Sequence, residues 1–70
     1  MAKAEIRNQV RRFRFEHGEM TQQELADRAR CTRQTIIALE QQKYVPSLAL
    51  AFRIARAFEE PLETIFEYVG

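Results

Sequence analysis

Met20-Thr21-Gln22-Gln23-Glu24-Leu25-Ala26 and, a few residues on, Thr32-Arg33-Gln34-Thr35-Ile36 are the stretches on which the fold turns. Thr21 followed three residues later by Glu24 reads as a capping box, in which a hydroxyl and a carboxylate satisfy amides left free at a helix start. Leu25, Ala26 and Ala29 then supply a short apolar stripe. Thr32 offers a second N-cap, and Ile36 and Leu39 provide the buried face of a helix running to about Gln41. Only Arg30 and Cys31 separate the two, so residues of about 21–41 read as two short helices joined by a tight turn. Arg33, Gln34, Thr35 and Ala38 fall on the side of the second helix away from Ile36 and Leu39. Arginine can bond a guanine edge bidentately and glutamine an adenine edge, and a helix of this width fits the major groove of B-form DNA.

Working outward, Ile6, Val10 and Phe13 recur at helical spacing with arginines between them, which predicts an amphipathic first helix over about 4–17, closed by Gly18. His17 then stands at a helix C-terminus, where the dipole favours it. Downstream, Tyr44-Val45-Pro46-Ser47 reads as a loop, because Pro46 disfavours helix at the residue before it and Ser47 can cap the next helix. Leu48, Ala51, Ile54, Ala55 and Phe58 mark a fourth helix. Pro61 suits the first turn of a short fifth helix carrying Leu62, Ile65 and Phe66. The expectation is an all-α domain of five short helices over residues 1–70, with its core in about 6–66.

A chain of 70 residues can build one small core, and 46% apolar with 30% charged residues and only two Gly and two Pro argue for ordered helix. The net charge of +1 says little, but its distribution is uneven. Residues 1–45 carry nine Lys or Arg against six acids, and residues 46–70 two against four, so one face can meet phosphates. No run approaches the roughly 18 apolar residues of a membrane span, and no apolar signal region opens the chain, which points to a cytoplasmic protein. The single Cys31 cannot form an internal disulfide, and no Cys/His cluster has the spacing of a metal site. Cys31 with His17 as a nucleophile pair lacks an orienting group and a water-excluding pocket, so no enzymatic role and no cofactor are expected.

The runs Met20–Ala26, Thr32–Ile36, Leu39-Glu40 and Lys43-Tyr44-Val45-Pro46-Ser47, with the tail Leu50–Phe58 and Pro61–Phe66, resemble the Cro/CI or Xre type of helix-turn-helix regulator in its minimal single-domain form. The resemblance spans about residues 6–68 and implies a lambda-repressor-like fold whose second and third helices form the helix-turn-helix. It implies sequence-specific binding of double-stranded operator DNA, as a transcriptional repressor, with no small-molecule ligand. By position, Arg33, Gln34, Thr35 and Ala38 would face base edges, Thr32, Lys43 and Tyr44 would meet the backbone, and Gln22 would bond a backbone phosphate or brace the recognition residues. Arg14 and Glu40 hold positions that often form a buried structural ion pair. The chain departs from the pattern at Arg30, Gln42 and Glu59, where glycine is usual, and it has one more residue than many members between Gly18 and Thr21.

Phe15 lies off the first helix's apolar face and Ile37 off that of the third. With the apolar tail they suggest surface that a second molecule would cover. A homodimer using Ile65, Phe66, Tyr68 and Val69 is the favoured reading, because such regulators commonly pair to read two half-sites. The rival is a helical protein-interaction module, or an antitoxin-like partner protein, that uses the same apolar residues as its contact surface.

Overall fold

The computed structural model describes residues 5–69. Its elements run β1 (Ile6–Asn8), α1 (Val10–Glu16), α2 (Gln22–Ala29), α3 (Arg33–Glu40), α4 (Leu48–Ala57), α5 (Leu62–Ile65) and β2 (Phe66–Tyr68). The five helices are those expected from the periodicity, but the chain is helical with a small sheet added. Ile6 belongs to a strand rather than to the first helix, which begins at Val10, and the last helix ends at Ile65, leaving Phe66 in the second strand. β1 and β2 pair antiparallel with Ile6 opposite Tyr68, Arg7 opposite Glu67 and Asn8 opposite Phe66. The pairing draws the two ends of the described chain together, with Phe66 buried and Ile6 packed partly buried against the core.

Caps delimit the helices where the sequence placed them. Thr21 accepts from the Glu24 amide at 3.0 Å while the Glu24 carboxylate accepts from the Thr21 amide at 2.8 Å. Thr32 and Ser47 each accept from the amide three residues on, at 3.1 Å in both cases. Gly18 and Glu19 are both left-handed, with φ of 75° and 56°, and this pair of residues turns the chain between α1 and α2. The backbones at Arg30, Gln42 and Glu59 stay left-handed as well, with φ of 58°, 61° and 56°. Each sits just past a helix in a paired arrangement of amides and carbonyls. Cys31 N–H donates to Ala26 O and Arg30 N–H to Asp27 O; Lys43 N–H donates to Ala38 O and Gln42 N–H to Leu39 O; Glu60 N–H donates to Ala55 O and Glu59 N–H to Arg56 O. This is the helix-ending geometry that usually selects glycine, here held by three residues that carry a Cβ.

One core joins Val10 and Phe13 of α1, Leu25, Ala26 and Ala29 of α2, Ile36 and Leu39 of α3, and Leu50, Ala51, Ile54 and Ala55 of α4, with Met20, Phe58, Ile65 and Phe66 closing it. α2 packs on both α3 and α4, and Arg53 donates from Nε to the free carbonyl of Ala29 at 2.6 Å, which ties α4 to the end of α2. Leu48 is not part of the buried face the periodicity assigned to it, being 67% exposed, and Leu50 takes the inward position. The His17 ring bridges two helix ends. Its Nδ1 lies 2.8 Å from Phe13 O and its Nε2 2.9 Å from Phe58 O, and the ring packs against both phenylalanines.

Candidate nucleic-acid interface

Why α3 presents a polar face follows from its eight residues. Ile36 and Leu39 are fully buried, so the helix cannot rotate without exposing them, and Arg33 and Gln34 are left on the solvent side at its first turn. Thr35, Ile37 and Ala38 are half-buried on the flanks between that exposed side and the core. The Thr35 hydroxyl lies 3.0 Å from that of Thr32, so part of its hydrogen-bonding capacity is already engaged within the helix cap. Thr32 itself is exposed, but its oxygen serves the N-cap. Lys43 and Tyr44 are exposed in the segment after α3.

At the C-terminal end of α3 lies an ion pair. Arg14 donates from Nε to Glu40 Oε2 at 2.6 Å and from Nη2 to Glu40 Oε1 at 3.0 Å, with the two side chains 11% and 7% exposed. Arg14 also donates from Nη1 to Met20 O at 2.8 Å. The fork geometry of the guanidinium matches the carboxylate on two bonds and leaves a third donor for the turn that leads into α2. Gln22 completes the cluster, donating from Nε2 to Glu40 Oε1 at 3.1 Å. One carboxylate thus fixes α1, the start of α2 and the end of α3 relative to one another. Gln22 is half-buried as a result, with its amide nitrogen committed to Glu40.

A shallow cleft of about 290 Å3 opens beside this cluster, where Arg11 and Ile37 face Gln22 and Gln41. Neither Arg11 nor Ile37 was assigned to this surface from the sequence. In the sequence Arg11 is only one of the arginines between the apolar positions of the first helix, and Ile37 an apolar residue off the third helix's buried face. Only the packing of α1 against α3 brings them together. Phe15 is 54% exposed, with the Arg11 and Arg14 guanidiniums 5.7 and 5.8 Å from its ring centre.

The residues assigned to pairing divide. Ile65 and Phe66 are 1% and 9% exposed and belong to the chain's own core, so they offer no face to a second molecule. Their side chains are used to seat α5 and β2. Tyr68, 68% exposed, and Val69 remain on the surface. Cys31 is half-buried in the α2–α3 turn, where burial pushes its thiol up and the nearby Arg53 charge only partly offsets this, so it is less of a thiolate than a free cysteine. Among the described residues no group of His, Cys, Asp and Glu could hold a metal ion, and no helix is long and apolar enough to cross a membrane.

The helix-turn-helix family profile matches residues 12–65. The chain is 56% identical over 62 residues, 87% of its length and 88% of the relative's, to an uncharacterized HTH-type transcriptional regulator of Methanothermobacter thermautotrophicus. It is 48% identical over 61 residues to one of Archaeoglobus fulgidus, covering 87% of this chain and 86% of the other. A Bacillus subtilis protein of the same description is 39% identical over 61 residues, 87% of this chain and 91% of the relative. All three are named as regulators of transcription, and none as an enzyme.

Proposed function

Since this chain belongs to the Cro/CI-type helix-turn-helix family of transcriptional regulators, we propose that it acts as a repressor that reads operator DNA by laying α3 in the major groove. The observation that carries this reading is the pairing of an exposed Arg33 and Gln34 at the first turn of α3 with a rigid anchor at the other end of the same helix, the Arg14–Glu40–Gln22 cluster. Base readout needs side chains that reach outward from a backbone held in one orientation. Arg33, Gln34, Thr35 and Ala38 meet base edges. Gln22, the Thr32 cap, Lys43 and Tyr44 lie along the sugar-phosphate backbone, which they position without reading sequence.

The regulator works as a homodimer on two half-sites about one helical turn, roughly 34 Å, apart. Exposed Tyr68 and Val69, at the end of the terminal sheet, support a pairing surface there. Occupancy of the site excludes polymerase, and repression is the outcome.

Selection from a random duplex pool at near-physiological salt tests the reading. Enrichment of a two-fold symmetric site is expected. Gln34→Ala should then flatten the base preference at one position per half-site by about 1 to 3 kcal/mol. An unchanged preference profile in that variant removes Gln34 from the reading set, and failure to enrich any sequence removes the function proposed.

A further inference from the structure

We infer that Asn8 and Gln42 are positioning residues that lock the C-terminal end of α3 to the terminal sheet and so set the orientation in which α3 meets DNA. This rests on the DNA-binding function proposed above. Asn8 makes two opposed bonds. Its Oδ1 accepts from the Val10 amide at 3.2 Å, at the start of α1, and its Nδ2 donates to Leu39 O at 2.8 Å, in the last turn of α3. The Leu39 carbonyl also accepts from the Gln42 amide at 3.0 Å, so both of its lone pairs are used.

Gln42 answers from the other side. Its side-chain Oε1 accepts from the Asn8 backbone amide at 3.3 Å, and its Nε2 donates to the Asn8 carbonyl at 3.2 Å. The flanking backbone bonds, Gln9 N–H to Ile65 O at 2.9 Å and Val69 N–H to Glu5 O at 2.7 Å, place Asn8 at a rung where its own N–H and C=O point away from β2. A side-chain amide presents a donor and an acceptor spaced like those of a peptide, so Gln42 pairs with Asn8 as a further strand residue would. Glycine, the usual occupant of such a left-handed helix-ending position, has no side chain with which to do this. The left-handed backbone at Gln42 is thus retained for the clamp it carries. Together with Arg14 on Glu40, the clamp holds α3 at two neighbouring points from two different elements.

The test compares Gln42→Gly, Asn8→Ala and the double variant with the wild-type chain, using the selected operator and a scrambled duplex. Gln42→Gly relieves the backbone while removing the clamp, so its thermal midpoint should stay within about 5 °C of wild type. Hydrogen exchange at the Asn8 amide should accelerate by about tenfold or more. Operator affinity should fall about tenfold, scrambled-DNA affinity less than about twofold, and the base-preference profile should flatten. Because the two residues act as one unit, the double variant should lose no more than the weaker-binding single variant. A merely structural role would not alter base preference. If Gln42→Gly folds and keeps wild-type operator affinity and profile, the positioning role is overturned. If the wild-type chain selects no site, the function on which it rests fails first. Should Asn8→Ala not fold, Gln42→Gly alone decides the matter.

Discussion

Arg30 and Glu59 each follow a helix with a left-handed backbone, at φ of 58° and 56°. An L side chain in that region costs about 1 to 2 kcal/mol, because its Cβ crowds the following carbonyl. Arg30→Gly and Glu59→Gly should therefore each stabilise the fold by about 1 kcal/mol, raising the thermal midpoint by about 4 to 8 °C in calorimetry. A lowered midpoint would mean that the side chain does more for the fold than its backbone costs. Gln42→Gly should gain less than either, since it surrenders the bonds to Asn8. Glu40 lies at the other extreme. Glu40→Ala leaves the Arg14 guanidinium nearly buried without its partner, and removal of one member of such a pair costs about 3 to 5 kcal/mol. Urea unfolding would read this directly, and a loss below about 1 kcal/mol would show that water screens the pair.

The helices themselves are too short to stand alone. α2 and α3 have eight residues each, below the length at which an isolated helix persists in water, so their caps and their packing carry them. Thr32→Ala removes the bond to the Thr35 amide. The expected loss is about 1 kcal/mol, accompanied by faster hydrogen exchange in the first turn of α3, where Arg33 and Gln34 sit. Unchanged exchange there would show that burial of Ile36 and Leu39 suffices to hold the turn. Lys43, exposed in the segment after α3, is proposed above as a backbone contact. Lys43→Ala should weaken binding to all duplexes about equally and lower the salt slope by about 1 in titrations at several salt concentrations. A change confined to one sequence would move Lys43 into the base-reading set.

At the scale of the molecule, a net charge of only +1 means that affinity for DNA depends on where the cations lie. Each phosphate neutralised contributes about −0.9 to the slope of log affinity against log salt, and the slope counts the contacts made. The proposed dimer has its own check. Tyr68→Glu places a charge on the exposed end of β2 and should convert the dimer to monomer in sedimentation, with loss of preference for paired half-sites. A mass that does not change would move the pairing surface elsewhere, and Leu48 and Phe52 on α4, with Phe15 on α1, are further exposed apolar residues of size.

The two central helices and their caps are legible in residues 21–41 because the signals are local: a hydroxyl three residues from the amide it caps, and an apolar stripe repeating at helical spacing. The left-handed positions at Arg30, Gln42 and Glu59 are legible by comparison with a pattern that has glycine there, and the backbone angles agree. The strands are not legible. Ile6 and Phe66 sit at spacings that also suit helices, and three-residue strands gain their identity from pairing across about 60 residues of chain. The same holds for Ile65 and Phe66, which read as free apolar surface until the tertiary packing buries them. Asn8 and Gln42 are ordinary polar residues in isolation, 34 positions apart. What the sequence determined alone was the set of helices and the outward placement of Arg33 and Gln34 on α3, since periodicity and capping act within a few residues. Tertiary structure decided the sheet, the division of the tail between core and surface, and the support that holds α3 in place, because each depends on contacts between segments distant in sequence.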